Sequence, residues 1–206
     1  MLDGVMRDYK EKTLVPVARY VSSSVHPNHV SLAALVVGLG SVWAVTQGQY
    51  GAGLALWAGN RMLDGLDGVV ARQQGTQSDF GGYLDLLLDF IIYLTVPLAF
   101  IVAQPSQAAL WAGIFLIGSY VLNNISWAVL SAILEKRAWR ASQAGGGKKF
   151  TTVEIPTGLI EGTETVIFYS LFFLLPDQIT WLFALMAVLV LVTVVQRVAW
   201  AWRTLD

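Results

Sequence analysis

Cysteine is absent from this 206-residue chain, so neither a disulfide, a thiolate metal site nor a thiol nucleophile is available. Charge is scarce as well: 13% of residues are Asp, Glu, Lys or Arg, while 55% are hydrophobic. A water-facing domain carries roughly 25% charged residues, so this chain lacks the means to cover a soluble surface. Histidine is limited to His26 and His29, both ahead of the first apolar segment and better placed for an interface than for catalysis. Residues 1–25 mix acids with bases and have no long apolar run, so no signal peptide is expected. The net charge of −1 offers no electrostatic footprint for nucleic acid, and none is expected as a partner. No internal repeat is evident.

What is present is apolar sequence in six stretches, near 29–46, 51–72, 81–103, 107–134, 156–175 and 179–201. Each approaches the roughly 20 residues that a membrane-spanning helix needs. The expected fold is therefore all-α: a polytopic protein with six transmembrane helices, preceded by an amphipathic interfacial helix. The connections at Gln47–Tyr50, Gln104–Gln107 and Pro176–Gln178 contain no Lys or Arg. The opposite set of connections holds Arg7, Lys10, Lys12, Arg19, Lys136, Arg137, Arg140, Lys148, Lys149 and Arg203. Cytoplasmic loops carry the Lys/Arg excess, which predicts both termini, and the turn between the second and third spans, on the cytoplasmic side.

Residues 1–25 interleave Leu2, Val5, Met6, Leu14, Val15, Val17 and Ala18 with Arg7, Asp8, Lys10, Glu11, Lys12 and Arg19. An apolar stripe with basic flanks suits the headgroup region; the plainer alternative is a solvated tail. The chain thus divides into a juxtamembrane helix at 1–25 and a six-helix membrane domain at 26–206, with Pro27 helping to break the two apart. The lipid bilayer is the first partner implied.

The chemistry concentrates between Asp64 and Asp89, in DGLDGVVARQQGTQSDFGGYLDLLLD. A charge left at membrane depth costs several kcal/mol, so such residues are usually paired, bind ions or react. Asp64 and Asp67 stand at i, i+3, and Asp85 and Asp89 at i, i+4; on helices, each pair projects from one face. Two helices joined by a short turn could aim all four carboxylates into one pocket open to the cytoplasm. Mutual repulsion then calls for positive charge, and hard divalent cations with oxygen ligands answer it. Two such ions about 4 Å apart are the arrangement used to stabilise a phosphoryl displacement. Gly68 and Ala71 share the face of the first pair and Gly81 lies one turn before Asp85, leaving room for a ligand. Arg72 is expected just past the second helix, where a guanidinium can grip phosphate oxygens, and Ser78 in the same turn adds a hydroxyl.

Each feature has a plainer explanation. Small residues are common at membrane helix contacts, Arg72 alone could be a cytoplasmic anchor, and two acid pairs could be an ion path. Their coincidence argues otherwise. The pattern Asp64-x2-Asp67-Gly68-x2-Ala71-Arg72-x8-Gly81-x3-Asp85-x3-Asp89 resembles the signature of the CDP-alcohol phosphatidyltransferase family, with every fixed position met. Pro27-Asn28-x2-Ser31-Leu32 is similar to the family's segment opening its first span. The chain looks closest to a bacterial inner-membrane subgroup of unassigned acceptor, which carries a string like Glu161-Gly162-Thr163-Glu164-Thr165.

The resemblance implies transfer of a phosphatidyl-type group from a CDP-linked lipid, CDP-diacylglycerol, to an alcohol acceptor, with release of CMP. It implies that Asp64, Asp67, Asp85 and Asp89 hold two divalent cations, Mg²⁺ or Mn²⁺, and that Asp89 is also the general base. It places Asn28, Gly68, Ala71, Arg72, Ser78 and Gly81 around the CDP-lipid, and it implies a homodimer in a bacterial inner membrane. The acceptor side is expected to draw on Asn123, Glu161 and Glu164; the alternative is that the two glutamates hold helices together. Because the basic residues weighed for a phosphorylated acceptor, Arg137, Arg140, Lys148 and Lys149, all fall in a loop, an unphosphorylated polyol or amino alcohol is expected. Two rival functions remain on sequence grounds. One is a cation-coupled transporter with the aspartates as its ion site, although no duplicated halves support it. The other is an aspartate-rich prenyltransferase, which would need differently spaced motifs and more spans.

Overall fold

A computed structural model describes residues 15, 16, 18, 25–143 and 158–205. The expected N-terminal amphipathic helix and the Gly145–Lys149 loop therefore lie almost wholly outside the described residues. Within them the chain is helical: α1 Pro27–Thr46, α2 Tyr50–Gln74, α3 Asp79–Ala103, α4 Gln107–Gln143, α5 Gly162–Leu174 and α6 Ile179–Leu205, with one 3₁₀ turn at Pro176–Gln178. Four of these, α1, α3, α4 and the segment ending in α6, are long and apolar enough to cross a membrane. The other two depart from that standard for different reasons. α2 has the length but carries Arg61, Asp64, Asp67 and Arg72.

The fifth segment is shorter than the expected 156–175. α5 begins at Gly162 because Glu161 is its N-cap: the Glu161 side chain accepts from the N3 backbone while Glu164 reaches back to the Glu161 N–H at 3.2 Å. This reciprocal capping satisfies two of the donors a helix start leaves orphaned. At 1.5 Å per residue, its 13 residues cover about 20 Å, short of the roughly 30 Å hydrocarbon core. The fourth segment is longer than expected, running beyond residue 134 to Gln143.

Two subsets of helices form the body. α1 packs along α2 and α3, and α4 pairs with α6, with α5 leaning on α2. Between the subsets lies an aromatic core in which Trp57 stacks on Tyr169 at 5.1 Å between ring centroids, and Phe172 meets Phe183 edge-on at 4.9 Å. Polar contacts are few and specific, as expected where no water competes. Ser41 Oγ donates to Gly53 O at 2.7 Å and ties α1 to α2.

Pro97 sets the join between α3 and α5. A proline inside a helix has no N–H to give to the carbonyl four residues back, so the Tyr93 carbonyl is left without its helical partner. Tyr169, from α5, donates its hydroxyl to that carbonyl at 2.5 Å. Tyr169→Phe should therefore cost about 1 kcal/mol or somewhat more in the wild-type chain, and distinctly less in a Pro97→Ala background where the helix supplies its own donor. Equal losses in both backgrounds, by thermal unfolding in detergent, would refute this coupling.

Candidate active site

The turn between α2 and α3 is built by two local signals. Gly75 closes α2 at φ +64°, a left-handed conformation natural to glycine. Ser78 opens α3, accepting from the Gly81 N–H at 3.1 Å. The turn is therefore short, and it brings the two acid pairs onto facing helices. Gly81 matters sterically as well: a Cβ there would stand 3.2 Å from Ser78 Oγ. Arg72 falls inside the last turn of α2, not beyond it.

An open cleft with about 590 Å³ of empty space lies at this end of the bundle. From α1 it is lined by Asn28 and Ser31, and from α2 by Asp67, Gly68, Ala71 and Arg72. Ser78, Gly81 and Asp85 complete its far wall. Asp67 is buried, and Ser31 Oγ donates to its Oδ2 at 2.5 Å. A narrow crevice deeper in the bundle is bordered by Ser31, Asn60, Asp64, Asp85 and Asp89. All four aspartates and every residue expected at the CDP-lipid thus gather in the cleft and the crevice beneath it.

Against two of these aspartates sits Arg61, a buried residue of α2 that the sequence did not single out. Its Nη2 donates to Asp89 Oδ1 at 2.7 Å, and its Nη1 lies 3.7 Å from Asp64 Oδ2. Nη1 also donates to the Tyr93 hydroxyl at 2.9 Å. A further signal lay in the sequence: an arginine one helical turn before Asp64, in an apolar run, is itself an intramembrane charge in need of a partner.

A second, larger cavity with about 1220 Å³ of empty space opens on the other side of α3. Asp89 lines it, as do Tyr93, Tyr120, Asn123, Glu161 and Arg197. Asp89 therefore borders both the crevice and this cavity. Asn123 and Glu161, two of the residues expected on the acceptor side, both line this cavity, while the third, Glu164, is absent from its walls and engages the Glu161 backbone. Glu161 also accepts from the Gly158 N–H at 2.8 Å. Arg197 was not weighed from sequence. It is buried, its Nη1 donates to Asn123 O at 3.0 Å and Oδ1 at 2.9 Å, and its buried Nε has no hydrogen-bond partner among the described residues. A cation in this wall removes the ground on which an unphosphorylated acceptor was expected.

Residues 24–201 match the CDP-alcohol phosphatidyltransferase family. The chain belongs to that family. The inner membrane protein YnjF of Escherichia coli (strain K12) is 35% identical over 150 residues, covering 73% of this chain and 70% of that protein. The bifunctional IPC transferase and DIPP synthase of Aquifex aeolicus (strain VF5) is 33% identical over 88 residues, covering 42% of this chain and 20% of that protein. Mycobacterium tuberculosis phosphatidylinositol phosphate synthase, crystallised with CDP-DAG bound, shares the fold at a TM-score of 0.69 and 20% identity, over 93% of this chain and 94% of its own. A second structure of that synthase, in complex with manganese and citrate, superposes at a TM-score of 0.67 and 20% identity, over 92% of this chain and 88% of its own. The chain is thus a membrane transferase of the CDP-alcohol phosphatidyltransferase type.

The residues present suit divalent cations by donor chemistry, since four carboxylates and the Ser31 hydroxyl form a hard, all-oxygen set. Among the described residues no three acidic or imidazole groups yet converge on one point, and Arg61 stands between Asp64 and Asp89. Ser31→Ala should leave the buried Asp67 carboxylate short of a donor and cost about 1.5–3 kcal/mol, the usual worth of a hydrogen bond to a charged group. The check is chemical or thermal unfolding in detergent with EDTA; an unchanged midpoint would contradict the bond.

Proposed function

We propose that this protein transfers a phosphatidyl-type group from CDP-diacylglycerol to the hydroxyl of an alcohol acceptor, releasing CMP. The observation that carries the reading is the position of Asp89, which borders the aspartate crevice on one side and the larger cavity on the other. In this reading the cleft takes the cytidine diphosphate end of the lipid. Gly68, Ala71 and Gly81 keep the walls low enough for a ligand to approach the backbone, and Arg72 offers a planar fork to phosphate oxygens. Asn28 and Ser78 add polar contacts at the mouth.

Asp64, Asp67, Asp85 and Asp89 would hold two Mg²⁺ or Mn²⁺ ions, which, when bound, supply charge stabilisation for the diphosphate and the departing CMP. The chain's own part is to orient the groups. The acceptor enters the second cavity, where Asn123, Glu161 and Arg197 can position it. Asp89 takes the hydroxyl proton as the oxygen attacks the β-phosphorus, and the β-phosphorus–oxygen bond to CMP breaks. No covalent enzyme intermediate is needed, and the chain has no cysteine to form one.

The reading is supported by the family match and by the related synthase crystallised with CDP-DAG and with manganese. It extends to six spans in a bacterial inner membrane, both termini and the cleft cytoplasmic, and a homodimer. YnjF, the inner-membrane relative, and the Lys/Arg distribution support the location and the sidedness. The span count rests on α2 and α5 crossing as parts of the bundle, with polar α2 packed along α1 and α5 against α2.

Three measurements test this. CMP release from labelled CDP-diacylglycerol, assayed across a panel of polyols, amino alcohols and their phosphates, should vanish with EDTA and return with Mg²⁺ or Mn²⁺; full activity after verified metal removal would defeat the metal role. Asp85→Asn should lose turnover and Mn²⁺ binding together, whereas Asp89→Asn should lose turnover, by a factor on the order of 10² or more, while still binding the CDP-lipid. An active Asp89→Asn enzyme would show that another group takes the proton. Finally, single cysteines at Gln49 and Gln77 should label from opposite sides of the membrane, Gln77 from the cytoplasm; labelling from one side would overturn the topology.

A further inference from the structure

Arg61 has no part in the roles assigned above, yet it is held on every side. Its side chain is 9% exposed. Nε donates to Asn60 Oδ1 at 2.9 Å, and Asn60 is itself anchored through Nδ2 to Ala34 O at 2.8 Å. Nη1 goes to the Tyr93 hydroxyl and Nη2 to Asp89. The guanidinium carbon lies 4.9 Å from the Trp57 ring centroid and 5.1 Å from that of Tyr93. A cation fixed through three nitrogens and two rings is a permanent part of the pocket. Lysine could not reproduce it, because an ammonium has neither the planar face nor the fork of donors.

The charges explain why it is there. Asp64 and Asp89, from different helices, both reach this one guanidinium, and Asp67 and Asp85 lie in the adjoining cleft. Four carboxylates brought together at the membrane would drive α2 and α3 apart unless something positive lies among them. Arg61 alone would be as costly to bury. Each offsets the other.

We infer that Arg61 is a positioning residue that supplies the resident counter-charge of the aspartate pocket. It holds Asp89 by Oδ1, stands between Asp89 and Asp64, and keeps the two acid pairs facing one another before any divalent cation arrives. The inference about metal affinity rests on the proposed metal role of these aspartates; the inference about assembly does not.

The test compares wild type, Arg61→Gln, Arg61→Lys and the double variant Arg61→Gln/Asp89→Asn, purified in detergent at pH 8. Thermal unfolding is followed with EDTA and with excess Mn²⁺, and Mn²⁺ binding is titrated by electron paramagnetic resonance. In EDTA, Arg61→Gln should unfold roughly 5–10 °C below wild type, as expected when a buried charge loses its partner. Neutralising Asp89 in the same chain should recover at least half of that loss, and Mn²⁺ should recover most of it. Arg61→Lys should fall between. Arg61→Gln should also bind Mn²⁺ about three- to tenfold more tightly, since a competing positive charge has gone. A residue that merely fills space would cost the same with EDTA and Mn²⁺, gain nothing from Asp89→Asn and weaken Mn²⁺ binding; either of the first two results overturns the proposal. If Arg61→Gln yields no folded protein, the double variant must, and its failure overturns the proposal equally. Wild-type protein that binds no Mn²⁺ would refute the metal role, while the EDTA comparison would still decide for or against Arg61.

Discussion

Burying like charges together is the constraint on which this structure turns. Four aspartates from α2 and α3 meet at one end of a helical bundle whose remaining surface is largely apolar. The direct contacts that oppose their repulsion are specific: Ser31 Oγ on Asp67 at 2.5 Å and Arg61 on Asp89 at 2.7 Å. One runs from α1 to α2 and the other from α2 to α3, so three helices have to be in register before the site exists. This is why α1 lies along both α2 and α3. Gly38 records the closeness of that fit, since a Cβ there would stand 2.6 Å from Ile92 and 3.0 Å from Asn60 Nδ2.

The second subset of helices serves a different need. α4, α5 and α6 line the larger cavity together with α3, and α5 is joined to the aspartate-bearing half through the carbonyl that Pro97 frees on α3. Tyr93 occupies both sides of this junction. Its hydroxyl accepts from Arg61, and its carbonyl accepts from Tyr169. The residue thus couples the aspartate pocket to the aromatic core by two hydrogen bonds at opposite ends of one side chain and backbone. Asp89, one turn earlier on α3, is the carboxylate that looks into both chambers.

Much of this was legible in the sequence because the signals were local. The acid pairs at i, i+3 and i, i+4, the short turn between them and the six apolar stretches each depend on residues close in the chain. What escaped depended on distance in sequence. Arg61 belongs to the site because it meets Asp89, 28 residues away, and Arg197 because it meets Asn123, 74 residues away. Neither spacing has a period to read. Glu161 and Glu164, expected on the acceptor side, also stand at the spacing of a capping box, and the helix start at Gly162 is what reveals that second role. Length misled as well: an apolar stretch is not yet a helix, and α5 is shorter than its hydropathy suggested because its first turn is capped.

The proposed reaction depends on the aspartate pocket holding divalent cations. Titrating the purified protein with Mn²⁺ in the presence of CDP-diacylglycerol, and recording the electron paramagnetic resonance spectrum, measures this directly. The account predicts two Mn²⁺ per chain, close enough to be spin-coupled, with the coupling lost in Asp85→Asn. A single isolated Mn²⁺, or none, in protein that remains folded would contradict it.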